Sequence, residues 1–330
     1  MKKVLFMAVC FIMMSMTASA VTINKALLDH NGEVTLFDGD KIQDAVNAAS
    51  DGDIIYLTLG TFKSFNVTKK ITIRGTGETT VIDGDVNISI PNNPTLDNPV
   101  LETMAVSGSV TVSNVVSNLM IRQCKIISGL NINAKVAKGT IERCQIGSMS
   151  FTGTIQDLII DRCNITSGLA LSSTIESMTV INTQITKLSA NSGATNNTTF
   201  VNCNLYFSSG SNFSATIINS IVMTIGTSKN LNSTVLVNSL IHTFYIILGT
   251  SSVCQNCYFY DSSSNVDTST SSLQTNGYLG TDGTVVGIYG GNTPYDDNML
   301  ETSVPKVTSS DLQLDMEQKK LNVKLTVSPQ

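Results

Sequence analysis

No tryptophan occurs in this chain of 330 residues, and histidine occurs only twice, at His30 and His242. So few imidazoles remove the usual zinc sites and His-based acid/base constellations. Arginine is scarce too, confined to Arg74, Arg122, Arg143 and Arg162. With a formal net charge of −5, this argues against a DNA or RNA partner, because binding to a phosphate backbone needs clustered Lys and Arg. Charged residues make up only 14% of the chain, but hydrophobic residues make up 42%, so disorder is not expected and a large core is.

Long hydrophobic runs are also few. The first twenty residues hold Lys2 and Lys3, an apolar run from Val4 to Met16 and then Ala18-Ser19-Ala20, the order of a secretory signal peptide. Cleavage is expected after Ala20, since a permanent anchor would need roughly 20 apolar residues. Cys10 lies inside the apolar run with little sequence ahead of it, which makes it a poor lipid-attachment cysteine. No transmembrane segment is expected in the mature chain, where the longest candidate is Phe244 to Leu248. The protein reads as exported, to the periplasm, the cell surface or the medium. Its mature part would carry six cysteines, the total of seven less Cys10.

What the sequence has in place of long runs is a repeat. From residue 115 onward one phrase recurs, as in Ile-Arg-Gln-Cys-Lys-Ile ending at Ile126, Ile-Glu-Arg-Cys-Gln-Ile at Ile146 and Ile-Asp-Arg-Cys-Asn-Ile at Ile165. The small residue of each copy is Cys124, Cys144, Cys163, Thr183, Cys203, Ser220, Ser239 and Cys257, in steps of 20, 19, 20, 20, 17, 19 and 18. A period this short has no room for a helix pair, so each copy is one strand-and-turn coil of a β-solenoid. Three places before the small residue stand Ile121, Ile141, Ile160, Val180, Phe200, Ile217, Leu236 and Cys254. Two places after it stand Ile126, Ile146, Ile165, Ile185, Leu205, Val222, Ile241 and Phe259. Both sets are expected to point inward and to stack about 4.8 Å apart on parallel strands.

Just before the small residue the last five copies carry Asn182, Asn202, Asn219, Asn238 and Asn256, a ladder suited to a left-handed bend, whose amides can bond to the next coil. Gln123, Arg143 and Arg162 hold that place in the first three copies, and the sequence supplies no reason for the change.

These phrases resemble the pectate-lyase-like, single-stranded right-handed parallel β-helix family. Lys41 to Ala49, Gly52-Asp53-Ile54-Ile55-Tyr56-Leu57, Gly60-Thr61-Phe62 and Ile71-Thr72-Ile73-Arg74-Gly75 look like that family's entry segment, an amphipathic helix followed by a strand and a turn. The resemblance implies an all-β, right-handed parallel β-helix (solenoid) with an N-terminal capping helix and a C-terminal β tail. In that helix Asp40 is expected as cap, Ala45, Val46 and Ala49 inward, and Gly52 at the end. The expected organisation is signal peptide 1–20, N-terminal cap and first coils 21–110, regular coils 111–262, and a C-terminal loop and β-hairpin cap 263–330. The hairpin is read from two alternating runs, Leu312 to Met316 and Leu321 to Val327. The tail resembles those of exported bacterial β-helix proteins.

The family includes lyases, hydrolases, esterases, tailspikes and non-catalytic surface proteins, so the resemblance does not decide function. The carboxylate sets implied by a lyase or a polygalacturonase are not visible, and Asp296-Asp297 lies outside the repeat. The catalytic alternative is the outward set Arg122, Glu142 and Asp161, a polysaccharide lyase or glycoside hydrolase face for acidic polysaccharide. Glu142 and Asp161, one coil apart, could share calcium or act as an acid/base pair, and no other cofactor or metal ligand is expected. Its structural counterpart is a solvated ion-pair ladder.

The favoured reading is a non-catalytic scaffold that binds glycans or cell-surface proteins. Its binding candidates are Tyr206, His242, Tyr258 and Tyr260, outward residues of the later coils, where Met223, Ile221 and Leu240 make the same face apolar. Coverage of that face by the C-terminal tail is the competing reading. Cys124, Cys144 and Cys163 are expected as small buried residues of the stack, and Cys254-x-x-Cys257 lacks the context of a redox or metal motif.

Overall fold

The computed structural model describes residues 24–91, 99–171, 174–190, 196–208, 214–224, 229–242, 246–249, 251–260, 268–298, 306–315 and 320–328, and the expected signal peptide lies outside them. The chain is an all-β parallel solenoid with very little helix. A regular coil consists of two strands meeting at a bend. Val136–Glu142 enters the bend at Arg143 and Cys144, and Gln145–Phe151 leaves it. Ile155–Asp161 and Asn164–Leu171 repeat this one coil later, in register, so that Glu142 faces Asp161 and Ile146 faces Ile165.

The two inward sets form continuous files. Ile126, Ile146, Ile165, Ile185, Leu205, Val222 and Ile241 are register partners in turn and all buried. The other file runs from Ile121 to Leu236, and register extends it back through Leu101 and Ile73 to Ile55. Each buried aliphatic side chain contributes on the order of 1.5–3 kcal/mol. Cys254 and Phe259 depart from the expectation, because both are exposed. Among the described residues no strand pairs with the outer edge of their coil, so these two positions face no further layer.

Every bend has the same geometry. Gln123, Arg143, Arg162, Asn182, Asn202, Asn219, Asn238 and Asn256 all have φ between 48° and 54°, the left-handed region. The following small residue then donates to the carbonyl two places before it. Examples are Cys144 Sγ to Glu142 O at 3.2 Å, Thr183 Oγ1 to Ile181 O at 2.8 Å and Ser239 Oγ to Val237 O at 2.9 Å. The hydroxyls also accept from the preceding coil, as in Cys203 N–H to Ser220 Oγ at 3.1 Å. Cys, Ser and Thr share this column because each is both small and a donor, which gives a second bond to a carbonyl that already accepts a backbone N–H from the preceding coil. A second left-handed corner, at Asn118, Lys138 and Asp157, is absent from the sequence reading.

At the N-terminal end β1 (Lys25–His30) and β2 (Glu33–Asp38) form a hairpin, and helix α1 (Ile42–Ala48) packs against both and against Gly60–Val67. β1 lies antiparallel on β3 (Ile54–Leu57), covering the first edge of the sheet. Ala45, Val46 and Ala49 face inward as expected, joined by Ile42. Asp40 does not cap the helix. It lies in a 3-10 turn, Gly39–Lys41, so the cap position falls on Lys41, which makes no side-chain cap bond. The helix ends at Ala48 rather than Gly52, and Gly52, at φ 95°, donates its N–H to Lys70 O in the following turn.

Replacing Ile146, fully buried in its file, by Ala is expected to cost about 2–5 kcal/mol in denaturant unfolding. Ile127→Ala, at an exposed position on a neighbouring strand, is expected to change stability by less than about 0.5 kcal/mol.

Candidate functional site

The first face is the outward column of Arg122, Glu142 and Asp161, which the register places on three successive coils. The same column begins earlier in the chain, with Tyr56, Arg74 and Glu102. All four arginines of the chain lie on this edge, Arg74 and Arg122 in the column and Arg143 and Arg162 at the adjoining bend.

Glu102 is its centre. Its carboxylate is buried, and the Nε groups of Arg74 and Arg122 donate to its two oxygens. Arg74 also stands 5.6 Å from the centroid of the Tyr56 ring, within cation–π range. Further along, Arg162 Nη1 lies 3.3 Å from Glu142 Oε1 and 3.4 Å from Asp161 Oδ2, and Arg143 Nε lies 3.6 Å from Glu142. Ion pairing explains why long residues occupy the left-handed bend in these coils.

Burial raises the Asp161 carboxyl above its ordinary range, and Glu142 adds to the rise against the opposing pull of Arg162. One Asp161 oxygen is buried with no hydrogen-bond partner. The column therefore brings the three candidates together, but as links of an ion-pair ladder. A cation shared by Glu142 and Asp161 would have to displace the guanidinium that bridges them. Among the described residues no group of three or more His, Cys, Asp or Glu is placed to hold a metal ion. Glu102 had a signal in the sequence: Leu101 and Val106 bracket it with the spacing of the repeat phrase, with Met104 in the place of the small residue.

The second face is at the other end. Tyr206, Met223, His242 and Tyr260 fall on one outward column over four coils, all half-buried, and the His242 and Tyr260 rings meet edge-on at 5.2 Å. The parallel column Ile221, Leu240 and Tyr258 lies beneath the tail. Leu273, from the helix Thr270–Thr275, and Val285, Val286 and Ile288 pack on Ile221 and Leu240, and Tyr278 meets Tyr258 edge-on at 4.8 Å. Asparagines of the bend ladder hold this segment. Asn202 Nδ2 donates to Ile288 O and Gly290 O at 2.8 and 2.7 Å, and Asn238 Oδ1 accepts from Thr281 N–H at 3.0 Å. A Cβ on Gly291 would sit 2.2 Å from Asn219 Nδ2, so the tail lies directly on the ladder. The Asn202 amide thus bonds to the tail rather than to the next coil.

Tyr289 and Tyr295, also in the tail, pack at the same border, and the Tyr289 hydroxyl donates to Asp297 at 3.1 Å. Burial pushes Tyr260 and Tyr295 up to about 12. The tail tyrosines and Asp297 were outside the candidates drawn from the repeat.

No family model, curated protein or solved structure matches the chain. No helix among the described residues is long and apolar enough to cross a membrane.

Glu102→Gln is expected to cost about 2 kcal/mol, less than the 3–5 kcal/mol of a fully buried broken pair because both guanidiniums reach solvent. Glu142→Gln, at a more open link, is expected to cost under about 1 kcal/mol. Asp161→Asn is expected to cost nothing at neutral pH. A carboxyl whose folded pKa is raised opposes folding once ionised, so the variant's advantage should fade as pH falls through that raised pKa. Unfolding curves from pH 4 to 8 check all three.

Proposed function

We propose that this protein is an exported, non-catalytic β-helix scaffold, akin to the pectate-lyase-like solenoids, that binds a glycan across Tyr206, His242 and Tyr260. One contrast carries this reading. Six of the eight tyrosines, Tyr206, Tyr258, Tyr260, Tyr278, Tyr289 and Tyr295, gather on the last coils and the tail, whereas all four arginines are spent on the ladder of the earlier coils. Tyrosine rings offer flat apolar faces to the C–H face of a sugar and a hydroxyl to its rim. The column from Tyr206 to Tyr260 spans three coil steps, roughly 14 Å, the scale of an oligosaccharide rather than a single sugar. Asp297, beside Tyr289, adds a carboxylate that can accept from sugar hydroxyls at the border. Tyr258 faces Tyr278 and serves to seat the tail.

The ladder supports the non-catalytic part, since an acid/base pair needs groups that exchange protons freely near the working pH, and here guanidiniums bridge the carboxylates. The alternative is a lyase or hydrolase acting through Arg122, Glu142 and Asp161.

A glycan array probed with the mature protein, with and without calcium, separates the two. Retention without product, weakened about tenfold by the double change Tyr206→Ala and Tyr260→Ala, is the expected result, corresponding to about 1.4 kcal/mol. Tyr258→Ala should instead lower stability and leave retention intact. Cleavage of a uronate polymer that disappears in Glu142→Gln or Asp161→Asn would overturn the proposal in favour of the enzyme.

A further inference from the structure

The file that starts at Ile55 and passes through Ile73, Leu101, Ile121, Ile141, Ile160, Val180, Phe200, Ile217 and Leu236 is aliphatic or aromatic at each of these coils, and then ends on Cys254. This exchange of a large apolar residue for a thiol falls on a coil whose outer edge no described strand covers. It also falls on a coil whose small residue is Cys257. In the inner coils the corresponding two side chains, such as Ile141 and Cys144 or Ile160 and Cys163, both turn into the core from either side of the left-handed residue. Cys254 and Cys257 stand in those same two places around Asn256, at φ 51°, three residues apart across one left-handed bend. Neither is fully buried, whereas Cys124, Cys144, Cys163 and Cys203 are sealed in the stack.

We propose that Cys254 and Cys257 form an intramolecular disulfide across the terminal bend, made by exchange with an external disulfide oxidant. One thiolate attacks a sulfur of the oxidant and forms a mixed disulfide. The second thiolate attacks the cysteine sulfur of that mixed disulfide and expels the remaining half of the oxidant, and the two protons given up by the cysteines end on the oxidant's two thiols. The bond replaces the longest of the thiol bend closures, since Cys257 Sγ lies 3.8 Å from Gln255 O against 3.2 Å for Cys144 Sγ to Glu142 O. Partial burial pushes Cys254 up to about 12, which disfavours its thiolate.

The test incubates the full chain with oxidised glutathione at pH 8, denatures it in excess alkylating agent and maps the peptides without reduction. The expected result is a peptide containing both Cys254 and Cys257, unlabelled and lighter by two hydrogens, with label on the other four cysteines of the solenoid. Chymotryptic cleavage around Tyr258–Tyr260 should slow about threefold or more on oxidation, and this slowing should be absent in Cys254→Ser. Label on both cysteines after oxidation, or a disulfide-linked dimer on a non-reducing gel, would overturn the proposal. So would a bridge from either of them to Cys203 or to the Cys124–Cys163 stack.

Discussion

One hydrogen bond recurs at nearly every bend of the repeat: a Cys, Ser or Thr side chain returns to the carbonyl two residues earlier, over a residue held in the left-handed region. The same carbonyl also accepts a backbone N–H from the preceding coil, as Glu142 O does from Gln123 and Ile181 O from Arg162, so the side chain adds a second bond, a gain of about 0.5–1.5 kcal/mol per coil. With it, the two strands of each coil leave the bend in the same relative direction, and the isoleucine files fall into line. The bend thus calls for a side chain that is small enough for the core and can still donate, and it reinforces a register that the backbone ladder already carries.

The bend residue carries a second layer of information. A left-handed conformation disfavours most side chains, and asparagine pays least for it apart from glycine. Where the edge is open and charged, Arg143 and Arg162 accept that cost and bind Glu142 and Asp161. Where the tail lies across the edge, Asn202, Asn219 and Asn238 take over. Their short amides fit beneath the tail glycines and meet its backbone, which a guanidinium on three methylenes could not do without lifting the tail. Along one column, the two arginines thus stand on the charged edge and three of the asparagines on the docked one.

The two ends of the molecule also differ in how their chemistry is satisfied. The ladder from Arg74 to Asp161 sets four guanidiniums against three carboxylates, around a Glu102 that solvent barely reaches. The later coils are built on apolar and aromatic outward residues, half covered by a segment that brings three more tyrosines. Coverage of Ile221, Leu240 and Tyr258 leaves a narrower column, Tyr206 to Tyr260, at the border of the covered patch.

The sequence by itself determined the solenoid. Its period, the two inward files and the run of residues able to take a left-handed bend are local and repeat at nearly fixed spacing, so Ile126, Ile146 and Ile165 could be placed in one file without coordinates. It also showed Arg122, Glu142 and Asp161 as neighbours, because register follows from the period. Tertiary structure alone decided how Arg74 joins that column, since a 28-residue step from Ile73 to Leu101 breaks the period there and hides the alignment. It alone decided that residues 269–298 lie along the side of the last coils, because that contact joins positions such as Asn202 and Ile288, which no periodicity relates. A repeat makes neighbours predictable only along its own axis; contacts across it depend on where a non-repeating segment can bury its apolar side chains.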